Sequence, residues 1–214
     1  MAASNYSDRV FINCPFDDQY RQLFRACTFT VLDAGFVPRC SREVDDASTS
    51  RLDVIVDIID ECQYGIHDLS RVQLDQSSHL PRFNMPFELG LFHSAKHFGP
   101  KRQKGKQCIV LEKNKYRYQK FISDIAGMNV TPHSNSQKRA IHAVRNWLVT
   151  ASRRTTIPAA ETIHKRFKAF QADFRKVCKK YGRDYDSMPF IEMVHNMNDW
   201  LQRNQIVKTP LFGP

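Results

Sequence analysis

The sequence predicts an α/β protein, with five parallel strands covered by helices on both faces and a C-terminal helical hairpin. Three observations predict it. Short apolar runs alternate with amphipathic segments through residues 9–152, the order expected of strands joined by crossover helices. The runs are apolar at successive positions, as in QCIVL, which is what strands buried on both faces require. Beyond Pro158 the alternation stops, and two longer segments with helical spacing follow.

Each element has a local reason. RVFINC (9–14) is a strand that stops at Pro15, and QYRQLFRACTFTVLDAG (19–35) spreads apolar residues at helical spacing and ends on Gly35, a helix stop. FVPRC (36–40) is a short second strand. In SRLDVIVDIIDECQ (50–63), Leu52, Ile55, Val56, Ile59 and Cys62 fall on one helical face, with Ser50 as its cap. YGIHDLS (64–70) is a third strand running into a polar loop, and MPFELGLFHSAKHFG (85–99) a helix closed by Gly99 and Pro100. KQCIVLE (106–112) is the clearest strand. A short helix over 118–127, a weak strand at NVTPH (129–133) and a helix over 136–152 complete the alternation. In the extension, Ile163, Phe167, Phe170, Phe174, Val177 and Tyr181 recur at steps of four and three, and Ile191, Val194, Met197 and Leu201 mark a second helix after the turn at 182–189. The division expected is an α/β nucleotide-binding part over 1–152 and a helical extension over 159–205.

Bulk properties narrow the class. With 214 residues and 42% hydrophobic content the chain can bury a substantial core. No apolar run approaches the roughly 18 residues of a membrane span, and the N-terminus lacks the pattern of a signal peptide. Six cysteines are scattered without a C-x-x-C pair, the usage expected of reduced, mostly buried thiols in a cytoplasmic protein. The net charge is +10, and from Arg153 onward 12 Lys/Arg stand against 6 Asp/Glu. A basic balance favours anionic partners such as nucleotides, nucleic acid or an acidic protein face.

In open parallel sheets, ligands bind beyond the carboxyl ends of the strands, where strand order reverses. The first strand delivers Asn13, Cys14 and Phe16 there, the second Arg39, and the third Asp68 and Ser70. The next helix opens with Arg82, Asn84 and Glu88. An aromatic to stack a base, cations for phosphate and polar groups for ribose hydroxyls suit a nucleotide. Glu88 is the residue that could do chemistry. Breaking a ribose–base bond passes through an oxocarbenium-like state, which a carboxylate beneath C1′ can stabilise or attack. Near a helix N-terminus the dipole favours the ionised form, and Asn84 could cap the helix or orient a ribose hydroxyl. Helix starts also favour acidic residues for stability alone. An Asx-turn accounts equally for Asp68, and Glu43, Asp45 and Asp46 offer partners to Arg39 and Arg51.

The string R-F-N-M-P-F-E-L-G (82–90) resembles the R-x-N-x-x-F-E-L-G segment of bacterial TIR-like predicted nucleotide-binding domains. More loosely, it is similar to the E-L-G segment of nucleoside 2-deoxyribosyltransferases. VFINCPFD and IHDLS resemble the first and third strand ends of these folds. The TIR-like resemblance implies a flavodoxin-like sheet, with Glu88 as catalytic glutamate and Asn84 as its neighbouring amide. Phe16, Asp68 and Ser70 would line the pocket. It implies NAD+ as substrate rather than cofactor, cleaved to nicotinamide and an ADP-ribose product, in an antiviral effector switched on by self-association or a partner. The loop RCSREVDDAST departs from the TIR pattern, and RFNMPF departs from the small residues that precede the transferase E-L-G.

Other chemistries find little support. His93 and His97 have zinc-compatible spacing, but HSAKH lacks the acid of H-E-x-x-H, so no metal site is expected. KGK (104–106) lacks the glycine frame of a P-loop, and neither G-x-S-x-G nor G-x-G-x-x-G occurs. A nucleotide-sensing module without turnover, or a nucleotide or nucleoside base hydrolase, would use the same rim. The basic segment 164–183, with Lys165, Arg166, Lys168, Arg175, Lys176, Lys179 and Lys180, suits an activating protein or nucleic-acid partner.

Overall fold

The computed structural model describes residues 5–71 and 82–206. Five strands, β1 (Arg9–Asn13), β2 (Val37–Arg39), β3 (Tyr64–Asp68), β4 (Gln107–Glu112) and β5 (Val130–Pro132), form one all-parallel sheet in the order β2-β1-β3-β4-β5. This is a flavodoxin-like α/β fold. The crossover helices are α1 (Arg21–Asp33), α2 (Arg51–Glu61), α3 (Asn84–Phe98) and α4 (Gln137–Ser152), and α5 (Ala160–Lys180) and α6 (Phe190–Arg203) form the extension.

Strand alternation sorts the core. Val10, Ile12, Ile66, Ile109 and Leu111 face α1 and α4, while Phe11 and Val110 face the α2 and α3 side. Gly65 is fixed by this packing, because a Cβ there would meet Phe92 of α3 at 2.9 Å and His67 Nε2 at 2.7 Å. Gly35 has φ +82° and ends α1 as expected, its N–H donating to the Leu32 carbonyl. The fully buried Lys106 sits over the Phe92 ring at 4.6 Å and donates to the last-turn carbonyl of Ile59, which satisfies the end of α2.

The extension forms a further layer on α1 and α4. Phe29 of α1 stacks on Phe170 at 5.5 Å and meets Phe167 at 5.4 Å and Trp200 at 6.1 Å. Arg166 bonds Asp33 at 2.9 Å and the Asn204 carbonyl at 2.5 Å, so α6 runs back along α5. Covered on both sides, α1 is buried continuously from Leu23 to Leu32. Its polar groups are satisfied internally: Thr28 and Thr30 hydroxyls donate to the Phe24 and Ala26 carbonyls, and Arg25 reaches Asp186 and the Tyr185 carbonyl.

Several faces differ from the sequence expectation. On α2 the buried residues are Val54, Ile55, Ile58 and Ile59, while Leu52 and Val56 are each 45% exposed. On α5 the stripe holds through Phe174 and then shifts to Cys178, leaving Val177 and Tyr181 exposed. On α6, Phe190, Met193 and Met197 are buried and Ile191 is exposed. The helix expected over 118–127 is two 3-10 turns, Arg117–Lys120 and Ser123–Ile125, separated at Ile122 by a non-helical backbone (φ −148°, ψ 75°).

Because Phe170 joins α5 to α1, Phe170→Ala should lower the unfolding free energy by about 3–5 kcal/mol. The check is urea denaturation followed by both far-UV circular dichroism and tryptophan fluorescence. Coincident transitions are expected, since Trp147 on α4 and Trp200 on α6 pack against one shared core.

Candidate active site

Strand order reverses between β1 and β3, the place where this topology is expected to hold a ligand, and there Asn13 and Cys14 leave β1 and Asp68 to Ser70 leave β3. Asn13 ties the two sides together. Its Nδ2 donates to the Met85 carbonyl of α3 at 2.9 Å and lies 3.0 Å from His67 Nδ1. That amide nitrogen can only donate, so His67 Nδ1 accepts and Nε2 carries the ring proton. Burial, with His93 and Lys106 nearby, pushes the His67 pKa down to about 3, so the ring is neutral.

Behind the crevice lies a closed polar network. The Tyr20 hydroxyl donates to Asp68 Oδ2 at 2.6 Å, the Ser70 N–H donates to Asp68 Oδ1 at 2.8 Å, and His133 Nε2 lies 2.9 Å from Asp68 Oδ2. The Ser70 contact is the expected Asx-turn. Burial would raise the Asp68 carboxyl, but these bonds overcome it and hold the group below its ordinary 3.8. Ser70 Oγ is 2.8 Å from the same His133 nitrogen, and His133 Nδ1 accepts the Asn135 N–H at 3.0 Å. A nucleophile relay needs the acid on one imidazole nitrogen and the hydroxyl on the other. Here both meet Nε2, so Asp68, His133 and Ser70 form a brace. Beside it Arg117 holds the buried Glu112 at 2.6 Å and donates to the Ser70 carbonyl.

Glu88 is different. It is 6% exposed, and among the described residues no hydrogen bond or ion pair engages its carboxylate. Burial, opposed by the Arg51 guanidinium, lifts its pKa from the ordinary 4.5 to about 7. Two details correct the sequence expectation. α3 begins at Asn84 without a side-chain cap, so Glu88 lies in the second turn rather than the first, and Asn84 is not the cap. With the helix terminus a turn away, the dipole does not hold the acid ionised, and at neutral pH Glu88 is about half protonated.

The other expected residues divide. Cys14 is buried close enough to Glu88 to feel its charge; burial, together with Cys27, Asp68, Cys40 and Glu88, pushes its thiol well above the ordinary range, so it lines the site as a neutral group. Phe16 is half-buried, edge-on to Phe24 at 5.3 Å, with Arg42 at 5.5 Å over its ring. Arg82 and Asn84 are exposed at the mouth, and Arg82 lies 3.8 Å from Asp17. Arg39 is drawn elsewhere. It pairs with Phe11 in register, short of the end of β1, and bonds Glu43 at 2.8 Å and Glu61 at 2.6 Å. The cations that do gather at this edge are Arg42, Arg51, Arg71, Arg82 and Arg117, from five separate segments. Arg51 bonds Ser41 at 3.0 Å and Arg71 bonds Asp17 at 2.9 Å.

Tyr20, His133 and Arg117 were not singled out from sequence; the one available signal was the position of His133 just past the fifth strand. Among the described residues no group of three His, Cys, Asp or Glu could hold a metal, and His93 and His97 stack on each other at 6.3 Å on α3. No helix there is long and apolar enough to cross a membrane. Compared with known protein families and with curated proteins, the chain matches none.

The two buried acids should respond oppositely to removal. The folded state holds Glu88 protonated up to about 7, whereas the unfolded chain releases that proton near 4.5. The unfolded state therefore binds fewer protons across this window, and the Glu88 charge costs stability as pH rises through it. Glu88→Gln should raise the unfolding free energy by about 2–3 kcal/mol at pH 8 and change it little at pH 4, read from denaturation curves at both pH values. Asp68→Ala strands the Tyr20 hydroxyl and leaves His133 Nε2 with Ser70 Oγ alone, and should cost at least about 2 kcal/mol at pH 7.

Proposed function

We propose that the protein is an N-glycosidase that cleaves the ribose–base bond of a nucleotide, with NAD+ the favoured substrate and Glu88 the catalytic carboxylate. The observation that carries this reading is the buried, unpartnered Glu88 at the strand-order reversal. A desolvated carboxylate with no direct ion pair among the described residues, and only the more distant charge of Arg51 to oppose its burial, is held at elevated energy. It recovers that energy by taking up a proton, or by staying ionised when positive charge arrives or develops beside it. A pyridinium base brings such a charge, and the ribosyl oxocarbenium state creates one on C1′.

The surrounding residues support a substrate that also carries phosphate. Arg42, Arg51 and Arg82 sit at the same edge, where fork-shaped guanidinium groups can take phosphate oxygens in pairs, while Arg71 and Arg117 are engaged with Asp17 and Glu112. Phe16 offers a ring for a base. In this reading Asp68 and Ser70 shape the wall rather than touch substrate, and Arg39 braces the loop after β2. The TIR-like resemblance extends the proposal to an antiviral effector, activated by self-association or by a partner.

Wild type and Glu88→Gln should be incubated with NAD+, mononucleotides and nucleosides, and the products separated by chromatography. Nicotinamide release from NAD+ should fall by about 10²–10⁴-fold in the variant, the ordinary worth of one positioned acid or base. The wild-type rate should vary with pH through an apparent pKa near 7. Full release by the variant would remove Glu88 from the reaction. Base release from nucleosides but not NAD+ would favour the deoxyribosyltransferase-like reading, and binding without turnover would favour a sensor.

A further inference from the structure

The outer face of α5 has no role in the proposed site. Residues 160–180 carry seven Lys/Arg against two acids. Lys165, Lys168, Arg175, Lys176, Lys179 and Lys180 are all exposed, and among the described residues no carboxylate pairs with any of them. Elsewhere exposed or half-buried arginines are routinely paired: Arg9 and Arg39 with Glu61, Arg71 with Asp17, Arg102 with Asp60, Arg154 with Asp8 and Arg183 with Glu192. A merely solvated helix face would ordinarily alternate signs at i and i+4. This one leaves its cations unneutralised.

The arrangement is linear. Positions 165, 168, 175 or 176, and 179 follow the three-and-four spacing of one helical stripe, with Ala172 at the step between. Their side chains are spaced by roughly one or two 5.4 Å turns over about 20 Å. The stripe continues at its N-terminal end. Glu161, one turn before Lys165, is held by Lys138 Nζ at 2.8 Å and lies 3.6 Å from His142 Nε2. Those two residues, with Arg139, Ser136 and Asn146, line an open cleft of about 470 Å³ between β5 and α4, and no acid lines it. Stripe and cleft adjoin at the Lys138–Glu161 pair, so the cationic track is the row of unpaired lysines and arginine on α5, with Arg139 of the cleft beyond its N-terminal end.

We infer that this track binds the phosphate backbone of a nucleic-acid duplex. A duplex presents about one negative charge per 1.7 Å of axis, so a straight row of unpaired cations meets several phosphates at once and gains from counterion release. Single-strand binding would need exposed aromatics as stacking platforms, but Phe167, Phe170 and Phe174 are buried against the core and only Tyr181, at the far end, is exposed. Recognition therefore rests on charge and shape, without base readout.

The test is fluorescence anisotropy with a labelled duplex of roughly 20 base pairs and arbitrary sequence, using the full chain. If about five phosphates are contacted, affinity should fall by about 10²–10³-fold between about 50 and 200 mM salt. Replacing Lys165, Lys168, Lys176 and Lys179 together by Glu should weaken binding at least about 10²-fold, with the circular dichroism spectrum retained. Lys101→Glu with Lys104→Glu, on the turn after α3, should leave it within about threefold. Competition by unlabelled DNA and RNA duplexes alike would support the backbone reading. Absence of binding at low salt, unchanged affinity in the fourfold variant, or displacement by polyglutamate at matched charge would overturn it. Glu88→Gln should bind the duplex as wild type does, which separates this surface from the proposed glycosidase.

Discussion

The structure depends on α1 being buried from both sides. A crossover helix in an open α/β sheet normally shows one face to the sheet and the other to water. Here Val31, Ala26 and Phe29 are all fully buried, because the sheet covers one side and α5 and α6 the other. That double cover explains why α1 tolerates Thr28 and Thr30 only with their hydroxyls turned back onto its own carbonyls. It also explains Arg25, whose buried guanidinium reaches across to the segment between α5 and α6 and rests 4.0 Å over the Tyr185 ring. The extension is bound to the sheet through α1, and the carboxyl end of β1, where the candidate site begins, sits above this shared core.

At that end the polar groups are of two kinds. Asp68, His133, Tyr20, Glu112 and Arg117 satisfy one another across β3, β4 and β5. Each such group would be costly alone, and the closed network removes the cost. Glu88 stands a short distance away with none of this help. The fold saturates four buried polar side chains and the half-buried Arg117 on one side of this end, and leaves the Glu88 carboxylate without a hydrogen bond among the described residues on the other. Natural proteins tolerate such local penalties mainly where a ligand or reaction relieves them.

How much of this was legible in the sequence follows from the range of the forces involved. The strands and helix limits were readable because they rest on local composition: QCIVLE is β4 almost residue for residue, and Gly35 ends α1 where a left-handed residue is needed. The buried faces were less so. RLDVIVDIIDE is apolar at two overlapping stripes, and only the positions of Phe11 and Phe92 select Val54 and Ile58 over Leu52 and Val56. On α5 the stripe is true while α1 lies beneath it and slips to Cys178 near the helix end. The segment after β4 breaks into two turns, with Tyr118 drawn into the core and its hydroxyl near the Ala126 and Met128 carbonyls. Glu88 was visible as a residue, whereas its protonation was not, because desolvation is set by chain segments far away in sequence. Tyr20 and His133 meet Asp68 only through the assembled sheet.

The charge pattern of the crevice bears on what could occupy it. Arginines at the edge favour an anion, while a half-protonated carboxylate in the interior favours a cation or a group that becomes one. A simple phosphate would satisfy the first and leave the second worse off, since a further negative charge raises the Glu88 pKa. A neutral sugar would satisfy neither. A molecule with phosphates at one end and a cationic ring on a ribose at the other answers both demands at once. Its binding would lower the Glu88 pKa, converting the acid to the ionised form that the proposed cleavage would use. The same desolvation that raises the Glu88 pKa would then make the ionised carboxylate a strong electrostatic partner at C1′ in the proposed reaction, where charge would appear as the bond to the base lengthens.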